Sequence, residues 1–334
     1  MQKKITAKRA VLAFAVTICF IAVLFLWAVN TGGLQTTFGQ LFRGLWIERD
    51  ETVEIIVQLR FPRILVALLG GALMAVSGVL MQAVMKNPLA DPGIIGITSG
   101  ASLVSLLMLA VTPSLAGLLP FFSFAGGMVA FILVYVLAWN RQSSASPVRL
   151  ILVGIAVDAL LSGLAEAFSS GTGGTYSGAA GIVNSNISLK TWEDVKLLAI
   201  YAVIAAICCM LIAGKCNLLA FSDQTLHSLG VNVGRLRLIV SMVSVLMASI
   251  FTAVIGSISF LGLIVPHIAR LIVGSDNKVL IPYSACLGAA ILLLADTVGR
   301  SIAYPYEISS SIIMAIIGGP MFIILLKRSR KIYG

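Results

Sequence analysis

The sequence predicts an all-α membrane protein that crosses the bilayer ten times and keeps both termini in the cytoplasm. Three observations support this: an apolar composition, ten apolar runs of helical length, and an uneven distribution of positive charge. Hydrophobic residues make up 59% and charged residues 11% of the 334 residues, against about 45–50% and about 25% in soluble domains. This composition argues against a soluble enzyme, a disordered chain and, despite the net charge of +10, a nucleic-acid-binding protein.

Ten apolar runs define the predicted spans, because a helix needs about 20 apolar residues to cross the hydrocarbon core. The eighth run contains Pro266, His267 and Arg270, so we expect it to cross only part of the bilayer or to break there. The runs lie near residues 10–29, 61–85, 94–112, 121–139, 150–169, 195–214, 238–257, 259–273, 280–298 and 308–326.

Positive charge predicts the orientation, because Lys and Arg accumulate in cytoplasmic segments. With a cytoplasmic N-terminus, the inner segments hold 16 of the 23 Lys and Arg residues and the outer segments hold seven. The basic balance is therefore a topology signal and does not indicate an acidic substrate. The five Cys residues have no metal-ligand spacing and are expected to be apolar packing residues.

Motifs for catalysis are missing from the sequence, which leaves a transporter permease or channel as the favoured class and an intramembrane enzyme as the minority one. The glycine-rich stretch at 171–181 lacks the Lys-Ser/Thr pair of a phosphate-binding loop. His227 and His267 each lack a second ligand at metal spacing, so no metal site is predicted.

Ionisable residues inside spans are functional candidates, because burying them in a bilayer is costly. Asp158 and Glu166 lie eight residues apart on the fifth span, about 80° apart around a helix, so both could face the bundle interior. The alternative is a buried hydrogen-bonding role between helices. Asp296 and Arg300 are spaced i,i+4 at the outer end of the ninth span, which favours an ion pair.

The inner segment 215–237 is too long for a plain connector. Leu219, Leu226 and Leu229 follow helical spacing, and Ser222-Asp223 is a plausible helix start. A surface helix and a docking element for a cytosolic partner both fit this pattern.

Two long stretches resemble a known family. They are LRFPRILVALLGGALMAVSGVLMQAVMKNPLADPGIIGITSGA at 59–101 and GSISFLGLIVPHIARLIVG at 256–274, the latter continuing through 284–300 to IIGGPMF at 316–322. They are similar to the permease subunit of type II ABC importers, which carry iron-siderophores, haem and cobalamin. The resemblance implies a single permease domain over 1–334 with spans two to five and seven to ten as two inverted four-helix blocks.

The resemblance also implies partners. It predicts a second permease, identical or different, two cytosolic ATPase subunits, and an external substrate-binding protein at the cytoplasmic membrane of a bacterium. ATP and Mg would bind to the ATPase, and no cofactor is expected on this chain. Nucleic acid is not an expected partner.

Site residues follow from the resemblance position by position. Arginines at the outer face would receive carboxylates of the binding protein, although snorkelling to lipid headgroups is an alternative. The implied sets are docking residues Arg60, Arg63 and Arg300; ATPase-coupling residues Asp223, Leu226, Leu229 and Gly230; cytoplasmic gate residues Asn87, Pro88, Leu89, Ser143 and Ser144; and translocation-path residues Asp158 and Glu166.

The sequence departs from the family near the path. Asn184 stands where a Gly is common, and YPYEISSS at 304–311 has serines where the family often has a second Pro and a Gly. We expect an iron chelate as substrate, a ferric siderophore first, haem as the near alternative and cobalamin as the further one. A solitary ion-coupled carrier or channel is the alternative from a different class.

Overall fold

The computed structural model describes residues 7–32, 36–47, 50–138, 147–171, 187–303 and 305–333. Over these ranges the chain forms twelve α-helices, two short 3-10 helices and no strand. The all-α prediction is therefore confirmed for the part of the chain that is described.

The helices of the first half are α1 (Ala7–Asn30), α2 (Phe38–Trp46), α3 (Glu51–Met85), α4 (Ile97–Val111), α5 (Leu119–Ala138) and α6 (Pro147–Gly171). Those of the second half are α7 (Trp192–Cys216), α8 (Asp223–Ser228), α9 (Val233–Ile255), α10 (Leu261–Val273), α11 (Asn277–Ile302) and α12 (Ser310–Tyr333). All except α2 and α8 coincide with the ten predicted apolar runs.

Among the described residues, seven helices are long and apolar enough to cross a membrane, and three shorter apolar helices accompany them. The shorter ones are α4, α10 and the part of α12 up to Leu325. The chain is thus a multi-pass membrane protein. The number of ten spans, the cytoplasmic location of the termini and the single-domain assignment stay predictions.

Helix α3 is the central element, because most of its second half is buried against α9, α10 and α11. Glycines let these helices touch backbone to backbone. A Cβ on Gly78 would lie 1.9 Å from the carbonyl oxygen of Gly262, and one on Gly71 would lie 2.3 Å from that of Gly288. No side chain larger than hydrogen fits at these crossings.

The eighth run is short, as expected, but it does not break at Pro266. Helix α10 continues through Pro266, and the chain is instead non-helical over 256–260, with Phe260 at a φ of +68°. Pro266 has no N–H to donate to the carbonyl four residues back, which is that of Gly262. That carbonyl lies at the close crossing with Gly78 of α3.

The stretch 30–60 between the first two apolar runs contains further helical structure. It contains the whole of α2, which Thr37 and Gln40 start as a capping box. Asp50 then caps α3 by accepting a hydrogen bond from the Thr52 N–H at 2.9 Å. The second predicted span therefore begins ten residues earlier than its apolar run, at Glu51.

Candidate functional site

The predicted docking and coupling residues lie in two separate regions along α3. Arg63 lies near the start of the apolar part of this helix, and Lys86 follows its end. Their separation of 23 positions corresponds to about 34 Å at 1.5 Å per residue, close to the roughly 30 Å of a hydrocarbon core. The structure therefore separates two polar regions by the thickness of a membrane.

The first region is the arginine cluster, which comprises Arg60, Arg63 and Arg300 with Asp296 and Glu307. Its centre is a two-pronged ion pair between α3 and α11. Nη2 of Arg63 lies 2.8 Å from Oδ1 of Asp296, and its Nε lies 3.0 Å from Oδ2. The side chains of Arg63 and Asp296 are only 8% and 2% exposed, so the charges neutralise each other inside the protein.

Glu307 binds the other edge of the same guanidinium. Nη1 of Arg63 donates to Oε2 of Glu307 at 2.9 Å and to Oε1 at 3.1 Å, and the Ser188 hydroxyl donates to Oε2 at 2.6 Å. Partial burial raises the pKa of Glu307, but the hydrogen bonds from Ser188 and Arg63 and the nearby positive charges lower it more. The net pKa lies below its ordinary value, so Glu307 is an anion at neutral pH.

Arg300 and Arg60 complete the cluster. Nε of Arg300 lies 3.3 Å from Oδ2 of Asp296, which confirms the i,i+4 pair expected from sequence. Arg60 donates to the Val29 carbonyl oxygen. A cavity of about 260 Å³ opens among these side chains, with Arg60, Arg63, Arg300, Glu307, Ser188 and Thr31 in its lining.

The positions and burial of the three arginines are relevant to their predicted role in docking a binding protein. Two arginines of α3 and one arginine of α11, far along the chain, meet at one cavity, as a docking set requires. Arg63 and Arg300 are buried within the protein, which is not the arrangement of side chains that snorkel to headgroups. Their contact with a binding protein stays a prediction, and it would have to occur through the cavity.

The second region, which we call the coupling surface after its predicted role, is formed by α8 and the turn after it. Asp223 accepts from Lys86 and from Arg237, each at 2.9 Å. The hydrogen bond from Lys86 and the charge of Arg237 hold the pKa of Asp223 below its ordinary value. These contacts fix the start of α8 against α3 and α9.

The end of α8 separates an anchor from an exposed side chain. Leu226 is fully buried and Leu229 is 62% exposed, so Leu226 holds the helix while Leu229 is available to a partner. Gly230 takes a φ of +72°, which lets the Val231 N–H reach the Leu226 carbonyl at 3.0 Å. The predicted helix start is confirmed, because the Ser222 hydroxyl accepts from the Thr225 N–H at 3.2 Å.

The predicted gate residues Asn87, Pro88 and Leu89 lie in the turn after α3. Asn87 fixes this turn by accepting from the Leu89 N–H at 2.9 Å. Lys86, immediately before them, donates to the Phe221 carbonyl at 2.7 Å and so joins the turn to the coupling surface. Ser143 and Ser144 lie outside the described residues, and the gate function stays a prediction.

The two predicted path residues do not share one internal face of this chain. Asp158 is half-buried against α4, where Ser99 is a hydrogen-bond partner. Glu166 is exposed on α6. The same helix also carries exposed apolar side chains, for example Leu160 and Leu164. A path role for the pair stays a prediction.

Sequence reasoning missed Glu307 as a site residue. It was noted only as the acidic position of YPYEISSS, and no spacing rule connects it with Arg63, which lies 244 residues away. The motif that surrounds it was the available signal. Within the described ranges, no group of three or more His, Cys, Asp or Glu residues could hold a metal ion.

Comparison with known proteins identifies the family. The sequence matches the FecCD transport family over residues 17–328. The chain belongs to the FecCD transport family. The resemblance to ABC importer permeases that the two long motifs indicated is thereby confirmed.

FecCD relatives match over nearly the whole chain. A protein of Staphylococcus aureus (strain bovine RF122 / ET3-1) named "Probable heme-iron transport system permease protein IsdF" is 38% identical over 324 residues, 97% of this chain and 98% of its own length. The IsdF protein of strain MSSA476 is 37% identical over the same coverage.

Solved structures agree with this assignment. An inward-facing structure of a "metal-chelate type ABC transporter" matches with a TM-score of 0.77 and 26% identity, covering 95% of this chain and 99% of that one. PsaBC from Streptococcus pneumoniae in complex with Fab matches with a TM-score of 0.57 and 14% identity over 86% of this chain and 95% of that one. The latter likeness concerns the fold alone.

Proposed function

We propose that this FecCD chain is the membrane-spanning permease subunit of an ATP-binding-cassette importer that takes up an iron chelate. The observation that carries the proposal is identity of 38% with a heme-iron permease over 97% of the chain. The described structure supports it, because the arginine cluster and the coupling surface lie one membrane thickness apart. This arrangement suits a subunit that receives a partner on each side.

Haem is the substrate that we propose within the chelate class. The sequence favoured a ferric siderophore, with haem as the near alternative, and its departures from the family near the path left the substrate open. Relatives named for heme-iron transport now favour haem. The same reasoning assigns the chain to the cytoplasmic membrane of a bacterium.

The proposed assembly contains two permeases, two cytosolic ATPases and an external binding protein. In it, the coupling surface faces the cytoplasm and the arginine cluster faces outward, which places both termini inside. Helices α6 and α12 carry exposed apolar faces, with Leu152 and Ile155 on the first and Ile312 and Ile316 on the second. These faces are available to a second copy, and Asp158 and Glu166 would lie along the path between copies.

Reconstitution in proteoliposomes tests this function. The purified chain alone is expected to hydrolyse no ATP, and the complex with its ATPase is expected to hydrolyse ATP faster when substrate-loaded binding protein is added. ATP turnover by the rigorously pure chain would refute the permease assignment.

Binding titrations test the substrate. The binding protein of the same transporter is titrated with haem, a ferric siderophore and cobalamin, and haem is expected to bind most tightly. Selective binding of the siderophore would refute haem but retain the iron-chelate importer, whereas selective binding of cobalamin would refute both.

A further inference from the structure

The cavity of the arginine cluster has a single exposed counter-charge. Three guanidinium groups and the carboxylate of Glu307 line it, and the second carboxylate of the cluster, Asp296, is buried behind Arg63 with a side-chain exposure of 2%. Glu307 is on the rim and is 43% exposed. The cavity therefore carries a net charge of about +1 and presents Glu307 to an incoming ligand.

Arg63 offers only one edge to that ligand. Its Nε and Nη2 are held by Asp296 inside the protein, and its Nη1 is held by Glu307. A carboxylate that arrives through the cavity can reach Nη1 alone, which is the atom that Glu307 occupies. The incoming carboxylate and that of Glu307 would repel each other. A guanidinium also pairs most strongly with a single carboxylate that it binds through two parallel hydrogen bonds.

Glu307 is also a mechanical link. It belongs to the connection 303–309 between α11 and α12, three residues before α12 begins at Ser310. The next residue, Ile308, donates its N–H to the Gly299 carbonyl at 3.0 Å. Glu307 thereby ties the outer end of α12 to Arg63 of α3 and to Ser188.

We propose that Glu307 is an internal counter-ion that a carboxylate of the external binding protein displaces from Arg63, so that docking frees the connection before α12. The proposal rests on the proposed function, because it requires an external protein that docks here. The proposal adds Glu307 as a residue that regulates docking of the binding protein. It also connects docking directly to α12, a helix with an exposed face. In the undocked chain Glu307 holds that connection.

A measurement without any partner tests the holding role. Spin labels at Leu59→Cys and Tyr306→Cys, both exposed positions, report the distance between α3 and the connection in a chain whose five native cysteines are replaced. Glu307→Gln is expected to broaden this distance distribution, because the amide loses the charge that binds Arg63. An unchanged distribution would overturn the holding role.

Association with the binding protein of the same transporter tests displacement. Glu307→Gln is expected to speed association several-fold at low salt, because the competing charge is gone, and to reduce the stimulation of ATP hydrolysis by the docked protein. Rim charges act mainly on association rate and are screened by salt. Glu193→Gln is the matched control, because this substitution removes the same charge as Glu307→Gln. Glu193 is an exposed acid in the first turn of α7.

The outcomes separate the two proposals. Equal association rates for the Glu307 and Glu193 variants would overturn displacement and leave the importer function standing. Faster association with undiminished ATPase stimulation would overturn the link to α12. A complete wild-type transporter that binds no external protein would refute the proposed function, and this proposal with it.

Discussion

Replacing Asp296 by Asn should destabilise the folded chain more than any exposed acid can. Asp296 is the buried partner of both Arg63 and Arg300, at 2.8 and 3.3 Å. Removing one member of a buried ion pair costs about 3–5 kcal/mol, because the remaining charge is left in a low-dielectric interior. The amide keeps the size of the side chain, so lost packing contributes little.

Thermal denaturation in detergent measures this cost. At about 2–4 °C per kcal/mol for a chain of 150–250 residues, the expected decrease in Tm is on the order of 10 °C. Asp194→Asn is the control, because Asp194 is 4.0 Å from Lys190 with 30% of its side chain exposed. Such pairs contribute about 0–1 kcal/mol.

The double variant with Arg63→Gln and Asp296→Asn distinguishes an unpaired charge from a general loss of structure. It should lose less stability than the sum of the two single variants, because no guanidinium remains stranded at position 63. Equal Tm shifts for the Asp296 and Asp194 variants, or strict additivity in the double variant, would contradict the reasoning.

Three further predictions concern the coupling surface and the helix crossings. Leu229→Glu should reduce coupled ATP hydrolysis about tenfold, since burying a Leu side chain against a partner contributes about 1.5–3 kcal/mol. Gln224→Glu on α8 is the control, and equal effects of the two variants would count against Leu229 as an ATPase-coupling residue. The pKa of Asp223 is lowered in the folded chain. Its stabilising charge is therefore fully present above the ordinary pKa of about 3.9 and is lost only as the pH falls through the lower pKa of the folded chain. Hydrogen exchange of the α8 amides, corrected for intrinsic rates, should therefore be equal at pH 5 and pH 8, and Asp223→Asn should speed it at both. Gly78→Ala should prevent accumulation of monodisperse protein in size-exclusion chromatography, because its Cβ would meet a carbonyl at 1.9 Å, whereas Gly39→Ala has nothing within 4 Å and should behave as the wild type.

Hydropathy predicted the helices well because a bilayer imposes length and composition on each span. Local rules also found the start of α8 at Ser222 and the pair of Asp296 with Arg300, since both depend on residues three or four apart. The same rules failed where structure depends on distant residues. Arg63 lies 233 residues from Asp296 and 244 residues from Glu307.

The start of α3 at Glu51 was not predicted, and the reason is different. Residues 51–60 contain acids and Arg60, so the apolar run begins only at Phe61. Hydropathy measures the part of a helix that suits lipid and does not detect a polar extension of it. Caps such as Asp50 mark the true start, and they were available in the sequence.

The glycine crossings of α3 also restrict how this protein can move. Where backbones touch at Gly71 and Gly78, no side chain lies between the helices that could change rotamer and absorb a displacement, so we expect α3, α10 and α11 to be displaced together. Conformational change during a transport cycle must then be carried by surfaces that lack such contacts, such as the exposed faces of α6 and α12. We therefore expect α3, α10 and α11 to move as one unit, and a passage to open and close at the periphery of that unit.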